Sequence, residues 1–149
     1  MAKQKTHEQL GITMGELIAL QGVRSMLAGG ILKYHKYHHN YKEKAHTFNM
    51  SCPLIKNDHC GSIGCIGGYM SMALGEDPKD YVSRHDPLDP GLFLDAKRQN
   101  LGKLFYPPDR LSYSKITIKQ AIKAIDNFLT KGKPLWNKVP GMKEDKGWD

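Results

Sequence analysis

Cysteine is scarce in this chain: there are three, at 52, 60 and 65 of 149 residues. An odd number with no secretory leader in view argues against a disulfide framework and for reduced thiols. No uncharged apolar run approaches the roughly 18 residues that a membrane helix needs, so no membrane span is expected. Met1 to Leu10 carries two lysines with no apolar stretch behind them, and a cytoplasmic location is therefore expected. Tandem repeats are missing, as is any sustained period-two alternation that would demand a sheet. Acidic side chains are also short: 15 Asp and Glu stand against 22 Lys and Arg, a net charge of +7. With 40% hydrophobic and 25% charged residues the composition is that of one ordinary globular domain.

Glycine is crowded into one place. The stretch His59-Cys60-Gly61-Ser62-Ile63-Gly64-Cys65-Ile66-Gly67-Gly68-Tyr69 holds two of the three cysteines and four of the 15 glycines. Glycine inside a helix costs roughly 1 kcal/mol relative to alanine, so such a density needs a reason. One reading is structural. A helix capped by Asn57 or Asp58 would place Gly61, Gly64 and Gly68 in a smooth groove where a second backbone can approach. The other reading is chemical. The helix start would lower the thiol pKa of Cys60, His59 or His85 would act as its base, Asp86 would orient the imidazole, and the amides of Gly61 and Ser62 would hold an oxyanion. A zinc site from Cys52, His59, Cys60 and Cys65 can also be written, although neither C-x2-C nor H-x3-H spacing occurs. No other cofactor is expected.

The chain in order predicts an all-α domain of four to five helices with long irregular loops, over residues 13–139. Residues 1–12 read as a flexible lead-in and 140–149 as a flexible tail. Thr13 and Glu16 make a capping box for a helix over 14–28, ended by Gly29-Gly30. Pro78 suits the start of a short helix, and Leu92 to Phe105 has helical spacing. Thr117 and Gln120 form a second capping box, after which Ile118, Ala121, Ile122, Ile125, Phe128 and Leu129 recur on one face up to Gly132. Trp136 is expected to fold back on the core.

Charge is unevenly spread. Residues 1–60 hold eight basic and four acidic side chains, residues 61–96 two and six, and residues 97–149 twelve and five. Within 31–46, Tyr34, Tyr37 and Tyr41 alternate with Lys33, Lys36, Lys42 and Lys44, the mixture of π-faces and cations that tracks a nucleic-acid backbone. His35 and His39, four apart, would chelate a metal if helical. The alternative is a solvated segment whose tyrosines rest on the core edge. The composition thus favours a basic, non-enzymatic binding or regulatory protein whose partner is nucleic acid or an acidic protein.

Phe48-Asn49-Met50, Cys60-Gly61-Ser62 with Cys65-Ile66-Gly67-Gly68, Leu104-Phe105-Tyr106-Pro107 and Ile116-Thr117 with Gln120-Ala121, closing on Trp136, resemble a family of short, uncharacterised bacterial and phage proteins. The family pattern is F-N-M, C-G-[ST]-x-x-C-[IA]-x-G, L-F-x-P and I-T-x-x-Q-A. The likeness covers about residues 48–136, with Tyr69 where the family usually has tryptophan. It implies a bacterial or phage setting, and no activity comes with it.

Overall fold

The computed structural model describes residues 3–35, 45–52, 54–56, 62–86 and 96–144. Thr6 and Gln9 cap a four-residue helix, α1 (His7–Leu10), that places Leu10 and Ile12 in the core. The Lys5 amide also donates to the Leu129 carbonyl at 2.7 Å. Residues 5–12 of the expected lead-in are therefore fastened, because a second capping box upstream of Thr13 precedes two apolar residues with somewhere to go.

Helix α2 (Met14–Ala28) begins at the predicted box, with Thr13 Oγ1 accepting from the Glu16 amide at 3.0 Å. It buries Leu17, Leu20, Val23 and Leu27. After it come strands β1 (Lys33–Tyr34), β2 (His46–Phe48), β3 (Ile55–Lys56) and β4 (Ser62–Gly64), then helices α3 (Ile66–Leu74), α4 (Pro78–Ser83) and α5 (Ala96–Phe105). Helix α6 (Ile118–Lys131) starts at the Thr117–Gln120 box and runs to Gly132. Ala121, Ala124, Ile125, Phe128 and Leu129 are fully buried along it. Burying each large apolar side chain contributes about 1.5–3 kcal/mol, far more than propensity on the exposed lysine face, so packing fixes this helix. Helix α2 packs on α3 and α6, α3 on α4, and α5 on α6. Trp136 closes the α5 end, 3% exposed, with its indole N–H donating to the Lys103 carbonyl at 3.0 Å.

The chain is mostly helical but not all-α. The four strands form one small sheet in the order β1-β2-β4-β3, with β1, β2 and β4 parallel and β3 antiparallel to β4. Two or three residues per strand are too few to show a period, and β4 is buried at every position. The central Gly/Cys-rich helix is corrected with it. Helix α3 begins only at Ile66, with Cys65 as its N-cap, and Gly64 belongs to a strand, so Gly61, Gly64 and Gly68 do not share a helical groove.

Two of the glycines nevertheless admit close neighbours. A Cβ at Gly64 would lie 2.6 Å from Leu54 Cδ1 and 3.2 Å from Leu54 Cα. One at Gly67 would lie 3.0 Å from the Phe105 ring and 3.0 Å from Val82 Cγ2. The approach is of a loop to the sheet and of α3 to two helices. Residues 140–144, expected as tail, are docked: the Ser112 amide donates to the Lys143 carbonyl at 2.8 Å and Gln120 Nε2 to the Pro140 carbonyl at 3.1 Å.

Candidate functional site

The thiols come first, because chemistry would start there. Cys60, His59 and Gly61 lie outside the described residues, so the nucleophile expected at 60 is not placed. Cys65 is 3% exposed, and its Sγ accepts from the Gly68 amide at 3.4 Å. Burial pushes its thiol up to about 11, against the pull of the Gly68 and Gly67 amides. Burial raises Cys52 as well. Both therefore stay protonated at neutral pH, the opposite of what thiolate chemistry or metal ligation needs. The Cys65 amide donates to the Cys52 carbonyl at 2.8 Å, which brings half of the written zinc set together. Among the described residues no three His, Cys, Asp or Glu side chains gather as a metal site. His39, partner of His35 in the other written metal pair, is also outside the described residues.

His85, the expected base, sits in a buried charge cluster. Its Nδ1 lies 2.7 Å from the Tyr81 carbonyl, which can only accept, so Nδ1 carries the proton. Nε2 then faces Arg98 Nη2 at 3.3 Å as acceptor, with Glu16 Oε2 3.7 Å away. Burial, helped by the Arg98 charge, lowers its pKa and keeps the ring neutral. Both nitrogens are thus engaged inside the fold. Glu16 is the hub. Its Oε1 accepts from the Thr13 amide at 3.0 Å and Arg98 Nη1 at 2.8 Å, and its Oε2 from Tyr81 Oη at 2.9 Å and Arg98 Nη2 at 3.0 Å. Burial would raise this carboxyl, but the Arg98 guanidinium, the Thr13 amide and the Tyr81 hydroxyl together hold it below its ordinary value. The capping box revealed Glu16 only as a cap. Its link to α4 and α5 spans 65 and 82 residues of sequence, beyond any local pattern.

A second buried polar chain went unnoticed in the sequence. Tyr69 Oη donates to the Thr47 carbonyl at 2.5 Å, and Ser62 Oγ lies 2.9 Å from Tyr69 Oη and 2.7 Å from His46 Nδ1. Because the tyrosine proton goes to the carbonyl, Ser62 donates to Tyr69 and His46 donates to Ser62. An imidazole that donates to a serine does not activate it, and Ser62 is fully buried. This chain ties α3 to β2 and β4.

The surface offers two further features. Lys33 and Tyr34 are exposed in β1; Lys36, Tyr37, Tyr41, Lys42 and Lys44 lie outside the described residues. Tyr34 Oη donates to the Ser114 carbonyl at 2.5 Å, which sets β1 against the 3-10 turn Tyr113–Lys115 and the start of α6. Lys115, Lys119 and Lys123 are exposed there. The second feature is a pair of clefts, of about 440 and 510 Å³, that share Asp86, Tyr106 and Asp109. Pro107, Pro134 and Leu135 line the first; Leu111 and Tyr113 line the second. Both tyrosines are pinned, Tyr106 Oη to the Val82 carbonyl at 3.1 Å and Tyr113 Oη to the Pro107 carbonyl. Burial raises both phenols, then Asp86 that of Tyr106 and chiefly Asp109 that of Tyr113, which is pushed up to about 12. Asp86, expected to orient His85, thus lines a cleft. Leu135 in the same wall has φ 52 and ψ 45, the one positive φ among described non-glycine residues. Asn127 Nδ2 on the Pro134 carbonyl at 3.0 Å and the Trp136 indole bond hold it there.

No protein-family model, curated protein or solved structure matches this chain.

Proposed function

We propose that this chain is a non-catalytic binding protein that docks a polyanion, with nucleic acid as the leading candidate, on the basic surface where β1 meets the start of α6. The observation that carries the reading is the Tyr34 to Ser114 hydrogen bond at 2.5 Å. It ties the strand that carries exposed Lys33, from the basic first third, to the turn that carries exposed Lys115, from the basic last third. Lys119 and Lys123, four apart on α6, extend the positive surface by one helical turn. The His85 imidazole, the Ser62 hydroxyl and the Cys52 and Cys65 thiols each have partners within the fold.

The test is DNA-binding anisotropy with a short duplex as a function of salt, backed by retention on heparin. Lys33→Glu, Lys115→Glu and Lys119→Glu, singly and combined, should lower affinity progressively. The slope of log K against log salt should fall by about 0.9 for each phosphate contact removed. Wild-type and triple variant eluting together from heparin and binding duplex equally would sink the proposal. Binding to an acidic protein, but to neither heparin nor duplex, would replace nucleic acid with the protein partner.

A further inference from the structure

We infer that the exposed face of α2 is a self-association surface, covered by the α2 of a second copy of this chain packed antiparallel about a two-fold axis. The face shares no residue with the polyanion surface. Gly15, Ile18, Gly22 and Ser25 recur at i, i+3, i+7 and i+10, and all four are exposed, with Met14 beside them. That spacing makes one stripe, the seam along which two helices meet. Ile18 is 61% exposed and Met14 52%. Next to them a groove of about 520 Å³ runs between α2 and α3, lined by apolar and glycine residues alone, Ala19, Met26 and Leu74 among them. No exposed residue of α2 is charged: Glu16 is buried, and Arg24 is half-buried in its ion pair with Asp126. On a chain with 25% charged residues, an uncharged outer face along a 15-residue helix favours leaving water.

The shape of the stripe selects a second copy. A Cβ at Gly22 would meet nothing within 4 Å beyond its own stretch of helix, so among the described residues the fold gives no reason for glycine where alanine would favour the helix. Gly22 is a hole, and Ile18, one turn before it, is a knob. An antiparallel copy, turned about an axis level with residue 20, sets Ile18 over Gly22 of the partner subunit and receives Ile18 of the partner subunit over its own Gly22. Gly15 then meets Ser25 of the partner subunit at each end of the seam. One sequence thus supplies knob and hole in both directions, as a closed two-fold contact requires. The exposed surface of the face is roughly 500 Å² per copy, or about 1,000 Å² for the pair, the lower bound for a specific contact. The dimer is accordingly weak, with a Kd of about 10–100 μM. The seam holds no ion pair and each copy carries +7, so salt screens only repulsion and should tighten the pair.

The test is sedimentation velocity of the full chain from about 1 to about 300 μM, at about 0.1 and about 0.5 M salt. The mean mass should rise from monomer towards dimer with a midpoint in the tens of micromolar, and stop there. Ile18→Lys, at an exposed position, should weaken association at least tenfold while the urea midpoint stays put. Ile18→Gly should weaken it too, and adding Gly22→Ile, which exchanges knob and hole, should restore it. A chain monomeric at every concentration, an Ile18→Lys variant that associates like the wild type, or growth past the dimer would overturn the inference. So would a swapped variant no tighter than Ile18→Gly. Dimers that salt dissolves would be held by ion pairs elsewhere, and the α2 seam would be wrong.

Discussion

Carboxylates stand among tyrosines in two parts of this molecule, and they are treated in opposite ways. At the α2 start, Glu16 is 4% exposed and accepts four hydrogen bonds, two of them from Arg98. At the clefts, Asp109 stands exposed near Tyr106, and among the described residues no cation of the chain forms an ion pair with it. The residue types are alike; the difference is whether the chain supplies its own cation. Where it does, the carboxylate becomes a staple that joins α2, α4 and α5. Where it does not, the negative charge remains on offer to a partner.

The comparison breaks most visibly at Arg98. Arg98→Met would leave the Glu16 carboxylate buried without a counter-charge, and the expected loss is about 3–5 kcal/mol in urea unfolding. Glu16→Gln should cost less, because the Arg98 side chain is 37% exposed and can turn to water. The double variant should cost less than the sum of the two. If Arg98→Met unfolds at the wild-type midpoint, the cluster is not a staple.

Acid should weaken the same region. The folded pKa of Glu16 is lowered, so its contribution is full above the unfolded value of about 4.5 and is lost as pH falls through the folded value. His85 is also lowered, so the unfolded chain takes up its proton first and stability begins to fall below about pH 6.5. The two effects share a sign. Thermal unfolding followed from pH 8 to pH 4 should show a decline that starts near the histidine value and steepens below the carboxylate one. In His85→Gln the upper part of that decline should disappear. A melting temperature that is flat, or that rises towards acid, would contradict this protonation scheme.

How far the sequence showed these regions follows from how local each signal is. Thr13 with Glu16 and Thr117 with Gln120 are read within four residues, and both helices start there. The α6 stripe is read over three turns. The sheet was hidden because its strands have two or three residues and β4 is buried at every position. The glycine crowding did mark close approach, but around Leu54 and Phe105 rather than along one helix. Tyr106 lines one cleft with Trp136 and the other with Tyr113 through turns whose geometry no periodicity encodes. Asp86 was singled out for its neighbour His85, yet successive residues at the end of α4 face different ways, one into the staple and one into the clefts.

The smallest effect expected is also the one that separates the two regions most cleanly. Asp109→Asn removes a charge from an exposed position that carries no staple, and its effect on unfolding should stay within about 0.5 kcal/mol. Neutralising the carboxylate keeps the shape of the side chain, so the cleft walls set by Tyr106 and Tyr113 should stand. A small gain in stability is consistent, since the variant relieves the nearby negative charges that act together on Tyr113. Urea midpoints measured beside Arg98→Met give the contrast directly. A loss at Asp109 approaching that at Arg98 would mean that this carboxylate, too, is a structural part held by partners inside the fold, and the distinction between a satisfied and an offered charge would collapse.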